Sequence, residues 1–580
     1  MKTSFLGILT FFFISQAFAQ GNDSPLAGQD SMVLENDRIT EIIESEKPIL
    51  GIPVRKVKEP NTSEIRYNPK TYYVESEIEL PPVQPQAFQP NYAKADTGYR
   101  NLVKLSLGKY ITPMIRVALV NPKGSALKYG LDFTHLSAHL DAIPLRNFRD
   151  DGLTFRLQKK LGDNDLSFKF SAFNTSYFNY GGNFRGQDTI YKDSLAKTSF
   201  SGVKDSLRNG FTQLDLGVNW KHEIPAKGKF GYGVGFKVWD IIKQKSLFRA
   251  TKEGHSFNEL NLALSPEFQY LIGKVYSLDW KNDIIYGNLL GNLITAQHRI
   301  LARSQPQFVV ENGAWKVRVG ANVAYYHNAA DTVSKKFGVA PAVQAEYELI
   351  PMKMYLQAGV VGGMKYNDLF HAFGENRFLS SAAEIRPSFE PYHAYLGTTS
   401  SALQKLNYSA KVYFRQVNNQ MMYVTPVDGR YFDIEYVKLY NAGVKLEGVY
   451  EVNRSLQAGA RFNYNFYRTD NSKYQNKFLQ QPAVTAQIFA HYVWNNKLNV
   501  QPTLYIYGAT PMAVSEVAIG GQTLQKRPFF ADLSFNADYR ISKRWSAFVG
   551  ANNLLALKYQ RWWNYIDRRF DFRIGTTFAF

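Results

Sequence analysis

The end of the chain alternates in side-chain character from Phe570 to Phe580. Even positions are mostly large and apolar, whereas odd positions are polar or small. A period of two is typical of a β-strand with one apolar and one polar face. Such a strand, ending on an aromatic residue, is typical of an outer-membrane β-barrel, where the last strand pairs with the first and removes both sheet edges. We therefore predict that Phe578 and Phe580 help to close a barrel and that the outer-membrane assembly machinery binds this strand.

The same alternation recurs from about residue 98 onward, for example over 212–221, 456–466 and 529–540. The second face of these segments carries Asp, Asn, Lys and Gly, which suit a wet lumen rather than a dry core, and the first face suits lipid. The formal charge of +19 suits anionic headgroups or solutes, or simply basic surface loops. The sequence predicts an all-β fold: a single large antiparallel transmembrane β-barrel over 98–580, embedded in the lipid of the cell outer membrane.

Turn chemistry predicts about 22 strands, with short periplasmic turns and long outer connections. The tight turns are expected at 121–124, 162–164, 225–228, 273–274, 312–313, 350–351, 453–454, 495–496 and 542–544. The long connections are expected at 139–150, 180–208, 243–255, 364–387, 418–430, 508–526 and 557–567.

The N-terminal part differs from the barrel. Lys2, the apolar run Phe5–Ile14 and the small-residue pattern Ala17–Ala19 predict a signal peptide over 1–19. Residues 20–97 are rich in proline and are predicted to form a mostly irregular periplasmic arm, with a short helix within 35–47. This arm could bind a periplasmic or membrane partner, and the sequence does not decide whether it docks inside the barrel.

Charged residues on the polar faces are the candidate functional groups of the lumen. By parity they are Lys169, Asp215, Lys221, Lys445, Glu447, Arg461, Asp532, Asp538, Arg540, Asp571 and Arg573. Rings of such charge set solute selectivity in pores. The alternative is that they pair with one another and brace the wall.

Aromatic residues near strand ends also allow two interpretations. Interfacial girdles are favoured over sugar-binding rails, because girdles fall at strand ends. The residues concerned are Trp494, Trp545, Trp562, Trp563, Tyr565 and Phe570.

No catalytic motif is recognisable, and we predict that the chain is not an enzyme and holds no cofactor or metal. There is no cysteine, which excludes disulfides and thiolate chemistry. His135 and His139 share a strand face without a nearby carboxylate in sequence, so a metal site there is disfavoured. A hydrolase assembled from residues distant in sequence would leave no local signature. Nucleic acid is not an expected partner in this compartment.

A family resemblance appears in the closing and opening strands. The segments 527–540, 545–555 and 558–562 resemble the closing strands of TonB-dependent receptors, and 102–135 resembles the opening of a TonB-dependent-receptor-like group of Bacteroidota. The resemblance implies an outer-membrane transport barrel. Such receptors carry a globular plug, and the stretch before residue 98 is too short and too rich in proline for a complete one.

Two hypotheses follow for function. The first is a channel or transport component that moves solutes across the outer membrane. The second is a structural or accessory barrel in an envelope assembly or secretion complex, with residues 20–97 as a docking tether.

Overall fold

The computed structural model describes residues 100–109, 111–121, 127–139, 147–179, 208–224, 228–243, 256–292, 294–331, 334, 336–403, 405–425, 431–516, 521–563, 565–566 and 570–580. The predicted signal peptide (1–19), arm (20–97) and short helix (35–47) lie outside these residues. Among the described residues, no helix has the length and apolar character needed to cross a bilayer.

The strands follow one another along the chain with few interruptions. Their bounds are β1 Leu102–Gly108, β2 Thr112–Val120, β3 Leu127–Ala138, β4 Phe148–Leu161, β5 Asn164–Phe178, β6 Arg208–His222, β7 Phe230–Lys243, β8 Phe257–Ile272, β9 Tyr276–Gly291, β10 Gln297–Asn312, β11 Trp315–Asn328, β12 Phe337–Ile350, β13 Met354–Lys365, β14 Ser388–Leu403, β15 Leu406–Val424, β16 Asp433–Asn453, β17 Leu456–Thr469, β18 Val484–Trp494, β19 Leu498–Tyr507, β20 Thr510–Glu516, β21 Gly521–Arg527, β22 Phe530–Arg540, β23 Trp545–Asn552, β24 Gln560–Trp562, β25 Tyr565–Ile566 and β26 Asp571–Ala579. Helix α1 spans Leu369–Glu375, and a 3₁₀ turn spans Ser472–Tyr474.

Twenty-two of the strands form a closed antiparallel barrel. The other four form two small hairpins, β20–β21 and β24–β25. Each barrel strand pairs with the next barrel strand along the chain. The seam between β26 and β1 has the register Leu102↔Ala579 through Gly108↔Arg573. The predicted fold class and strand number are therefore confirmed.

Alternation along each strand separates the two surfaces of the wall, as β8 illustrates. Leu260, Leu264 and Phe268 are 36%, 43% and 40% exposed on the outer face, whereas Glu259 and Asn261 are fully buried on the inner face. Apolar side chains facing outward and polar ones facing inward are the pattern of a transmembrane barrel.

Tight turns lie at the end of the barrel where β26 finishes, as turn chemistry predicts. Gly162, Gly273 and Gly313 adopt positive φ there, at 62°, 75° and 56°. Asn495 and Asn496 both have positive φ, 48° and 52°, as a type I′ hairpin requires. Longer connections lie at the opposite end, which by this asymmetry is the outer one.

Three predicted connections differ from the structure, and the one over 557–567 contains the hairpin β24–β25. The connection predicted over 418–430 begins only after Val424, because the Asn418–Asn419 pair forms a bulge inside β15 rather than a turn. The connection predicted over 508–526 contains the hairpin β20–β21.

Glycine on the inner face makes room for aromatic rings of the neighbouring strand. Gly443 lies opposite Tyr413, and a Cβ on this glycine would be 2.5 Å from the Tyr413 ring. Gly575 lies opposite Phe548, whose ring would be 2.6 Å from such a Cβ. The Lys104 ammonium of β1 lies 4.0 Å from the same Phe548 ring centroid, so the seam is packed from both sides.

Candidate functional site in the barrel lumen

The lower lumen contains ion pairs between strands that are adjacent or one strand apart. The carboxylate of Asp215 on β6 lies 3.0 Å from Lys237 on β7. Lys221 on β6 lies 2.9 Å from Glu267 on β8. Asp215 and Lys221 were predicted from parity, whereas their partners were missed because strand register cannot be read from one strand alone.

Two of the predicted charges, Arg461 and Glu447, pair with each other elsewhere in the wall. Arg461 on β17 donates through Nε to Glu447 on β16 at 2.7 Å, and its guanidinium also reaches Gln487 at 3.4 Å. Lys445 lies 5.9 Å from the Tyr413 ring centroid. These partners support the interpretation that the charges brace the wall.

The remaining predicted charges lie on the inner face at separate places. Asp532 accepts bonds from the Tyr559 hydroxyl at 2.8 Å and the Asn553 amide at 2.9 Å. Asp571 and Arg573 are buried beside the seam. In the register, Lys169 lies opposite Gly217, Asp538 opposite Phe548, and Arg540 opposite Ser546. A role in solute selection stays a prediction for all of these residues.

Residues 366–387, the connection between β13 and β14, lie in the outer part of the lumen and pack against its wall, and we call this segment the lid. Glu259 of β8 accepts hydrogen bonds from the amides of Leu369 and Phe370, at 2.6 and 3.1 Å, and so holds the first turn of α1. The same carboxylate pairs with Arg299 of β10, whose guanidinium also donates to the Asn367 carbonyl at 3.2 Å. Glu259 and Arg299 are 0% and 1% exposed.

Further polar contacts fix the start of the lid to the wall. Asp368 accepts from the Trp239 indole at 2.9 Å and, as the N-cap of α1, from the His371 amide at 2.7 Å. The Tyr366 hydroxyl donates to Asn261 at 2.8 Å. Burial alone would raise the pKa of Asp368, but the charge and bonds of His371, together with the Trp239 bond, outweigh it and hold that pKa at about 2. The lid is therefore anchored by a carboxylate that is ionised at neutral pH.

An apolar core lies between the lid and the wall. It joins lid residues to inner-face residues of β6 to β10, and it includes Phe211, Ile241, Phe257, Leu289, Leu301, Leu369, Phe370, Phe373, Leu379 and Ile385. Burying a side chain of this size contributes about 1.5–3 kcal/mol. The sequence did not identify this core, because a seven-residue helix between strands gives too short a pattern to recognise.

Two other outer connections complete the apolar layer. Phe378 of the lid stacks on Tyr565 with 3.5 Å between ring centroids, and Phe432 packs against Trp562 at 5.2 Å. Trp562, Trp563 and Tyr565 are 6%, 7% and 3% exposed. The girdle prediction is wrong for these three residues, because they pack inside the mouth. Trp494 and Trp545 are 52% and 47% exposed beside their turns, as girdle residues should be.

A polar cavity of about 100 Å³ lies beside the lid, against the wall from β13 to β17. Its basic lining residues are Lys365, His393, Lys411, Arg415 and Lys445, and its acidic one is Glu375. The buried Oδ1 of Asn441, also in the lining, has no hydrogen-bond partner among the described residues. Lysine and arginine in such excess favour a carboxylate or phosphate over a cation. In the described part of the chain, no group of three or more His, Asp or Glu is arranged to hold a metal ion.

The sequence matches no protein-family model and no curated protein. The fold is nevertheless similar to that of many solved structures. The FrpB iron transporter from Neisseria meningitidis superposes with a TM-score of 0.63 at 8% identity, covering 83% of this chain and 81% of that one. The ferric-catecholate import receptor Fiu from K12 E. coli superposes with a TM-score of 0.59 at 11% identity, covering 83% of this chain and 81% of that one. The ferripyoverdine receptor of the Pseudomonas aeruginosa outer membrane superposes with a TM-score of 0.61 at 13% identity, covering 84% of this chain and 72% of that one.

The chain thus has the barrel fold of outer-membrane receptors and transporters. Together with the outward apolar face, this places the barrel in the cell outer membrane.

Proposed function

We propose that this chain is an outer-membrane transport barrel whose outer mouth is closed by the lid and whose cationic cavity receives a small anionic solute. The observation that carries the proposal is the position of the lid. It lies in the outer part of the lumen, above the ion pairs of the lower lumen, and its anchoring groups come from the wall itself.

The nature of the anchor supports a joint that opens. A buried ion pair such as Glu259–Arg299 is a poor way to obtain stability, because desolvation offsets much of the attraction and apolar residues of similar volume often do better. Charged groups that exchange partners or water when the lid moves suit a reversible contact. The basic cavity lies nearby, and its lysine and arginine side chains would replace the water shell of a bound anion.

Removing the lid tests this function directly. Lys365 pairs with Ser388 in the sheet, so the two strand ends are adjacent and residues 367–386 can be replaced by a short turn. In planar bilayers, we expect the full chain to conduct little and the lidless chain to form a steady pore. A second variant that also lacks residues 20–97 removes any block by the arm. A double deletion that folds and still does not conduct would refute transport.

An accessory role in an envelope complex is the second candidate, and the apolar filling of the mouth favours it. If the layer built by Phe378, Phe432 and Trp562 never opens, the barrel serves as a scaffold. Gentle solubilisation followed by co-purification distinguishes the two. A stable partner that is lost when residues 20–97 are deleted would favour the scaffold, whereas a barrel that purifies alone and conducts would exclude it.

A further inference from the structure

A Ser–His–Asp arrangement lies on the outer wall of the barrel, away from the lumen. His135 Nδ1 is 2.6 Å from Asp151 Oδ1, and His135 Nε2 is 3.3 Å from the Ser137 hydroxyl. A nucleophile within reach of a base that a third group orients is the geometry of nucleophilic catalysis, and this reach is often slightly long without substrate. We propose that these residues form an esterase site for the fatty acyl esters of outer-membrane lipids.

Strand register explains how these side chains meet. His135 and Ser137 are two apart on β3 and therefore share a face. On β4, Asp151 lies directly opposite His135, and Arg149 lies directly opposite Ser137. Arg149 donates to the second oxygen of Asp151 at 2.7 Å, which holds the carboxylate in place. The sequence showed His135 without a nearby carboxylate, because only the pairing of β3 with β4 brings Asp151 to it.

The orientation of this face identifies the medium in front of the site. Ile115, the β2 neighbour of His135, is 38% exposed, and Phe133, two residues before His135 on the same face, is 36% exposed. Both belong to the apolar outer surface. The site lies just beyond them, at the end of the barrel with the long connections. Ser137 itself is 7% exposed, so the ester carbonyl of an acyl chain lying on this surface would reach the hydroxyl through a small opening, at the level where the outer leaflet meets water.

Each residue has a defined role in the reaction. The Ser137 hydroxyl donates its hydrogen bond to His135 Nε2, which requires the His135 tautomer whose Nδ1–H donates to Asp151. Asp151 and Arg149 are positioning residues for the imidazole. The side chain of Arg149 is 62% exposed, and the guanidinium N–H groups not bonded to Asp151 supply positive charge next to Ser137 for the oxyanion.

The chemistry balances as ester plus water to acid plus alcohol. The Ser137 oxygen attacks the carbonyl carbon while its proton passes to His135 Nε2. The bond from the carbonyl carbon to the alcohol oxygen breaks, and the leaving oxygen takes that proton. A water molecule, deprotonated by His135, then attacks the acyl-serine, releases the fatty acid and restores the Ser137 hydroxyl.

The substrate class has two sources, glycerophospholipid and lipopolysaccharide. Both present fatty acyl esters at the outer surface. Vesicles of phosphatidylethanolamine, with and without lipopolysaccharide, distinguish them by which fatty acids are released.

The test uses the folded full-length chain in detergent, with a fluorophosphonate probe and the two kinds of vesicle. We expect covalent labelling at Ser137, located by mass spectrometry, and release of free fatty acid. Ser137→Ala should abolish the labelling. His135→Ala and Asp151→Asn should lower fatty-acid release by about 10²–10⁴-fold. Ser176→Ala is the matched control, because Ser176 lies on the same face at the outer end of β5 but bonds to Arg208 instead of a histidine.

The site is separate from the lumen, so its failure would not bear on transport. A folded wild-type chain that neither labels nor releases fatty acid would overturn the proposal. So would a Ser137→Ala chain that labels and hydrolyses as the wild type does. A variant that only loses thermal stability, with no ester hydrolysis in the wild type, would assign the cluster to bracing β3 against β4.

Discussion

The inner face of the same strand carries a buried ion pair in the outer half of the lumen and an exposed one in the lower half. Glu259 and Glu267 both lie on the inner face of β8, and each pairs with a cation from another strand. Glu259 is completely buried beneath the lid, whereas the Glu267 side chain is 35% exposed and its partner Lys221 is 39% exposed. The same alternation of side chains along β8 places both carboxylates on the inner face. The contribution of each ion pair therefore depends on whether the lid or water covers its carboxylate.

The upper pair, Glu259–Arg299, joins the lid to the wall. The lower pair, Glu267–Lys221, lies on a solvated surface of the lumen. Removing one partner of a buried pair leaves an uncompensated charge and costs about 3–5 kcal/mol. An exposed pair is screened by water and contributes about 0–1 kcal/mol. Substitutions at matched positions should therefore separate the two halves.

Glu259→Gln should give the largest effect. It leaves Arg299 buried without its counter-charge and removes the carboxylate that holds the Leu369 and Phe370 amides. We expect a loss of about 3–5 kcal/mol in the free energy of lid closure. Tryptic cleavage of the lid after Arg377 measures this, because proteolysis follows the population of the open form. If the lid of the variant were cleaved no faster than that of the wild type, the buried pair would not hold the lid, and the two halves of the lumen would not differ in this respect.

Phe373→Ala should come next, because it creates a cavity in the apolar core and removes the ring that lies 4.5 Å from the Lys243 ammonium. Phe373 is 1% exposed and packs against Phe211 and Phe257, with ring centroids 5.5 and 5.3 Å away. We expect about 3 kcal/mol of destabilisation, at the lower end for such truncations because the lid can settle. Urea unfolding in detergent and lid proteolysis both measure it. Phe236→Ala on the outer surface of β7 is the control and should leave lid proteolysis unchanged.

Asp368→Asn should have a smaller effect that depends on pH. The pKa of Asp368 is about 2 in the folded lid, below its unfolded value of about 3.9, so its charge stabilises closure above pH 4 and this contribution is lost as the pH falls toward 2. The wild-type lid should open more readily across that window, and the Asn variant should show a smaller change with pH, because it lacks the Asp368 contribution but keeps the Glu259 carboxylate. Conductance recorded in bilayers from pH 6 to 2.5 would follow the change. A wild-type lid that is insensitive to this window would show that Asp368 does not hold it.

Glu267→Gln should give the smallest effect. Lys221 keeps access to water, so we expect a change of about 0–1 kcal/mol in unfolding free energy and none in lid cleavage. A large loss of stability would mean that the lower lumen is drier than its exposure indicates.

The sequence predicted the barrel well because its pattern depends on a period of two, which any single strand displays. Glycine and asparagine turns were found where positive φ demands them, as at Gly162, Gly273 and Asn495. The sequence places Asn419 in the connection predicted over 418–430, because the asparagine that suits a loop also suits the bulge found there.

The lid and the contacts between strands could not be predicted in the same way. Trp562 buried in the mouth and Trp545 at the lipid boundary are the same residue type near strand ends, and only packing distinguishes them. Glu259 and Arg299 are separated by a complete strand, and His135 and Asp151 meet only through the register of β3 with β4. Pairing across strands is a tertiary property that one sequence does not carry locally.

The seam between β1 and β26 has a consequence for the order of events during folding. Leu102 meets Ala579, so this ladder joins the two ends of the described chain. We expect it to form after the hairpins between them. Local hairpins form quickly, whereas a contact of such sequence separation is slow. Until it forms, the curled sheet has two unsatisfied edges that invite pairing with other chains. Closure time, rather than hairpin formation, therefore sets how long this protein is vulnerable to aggregation.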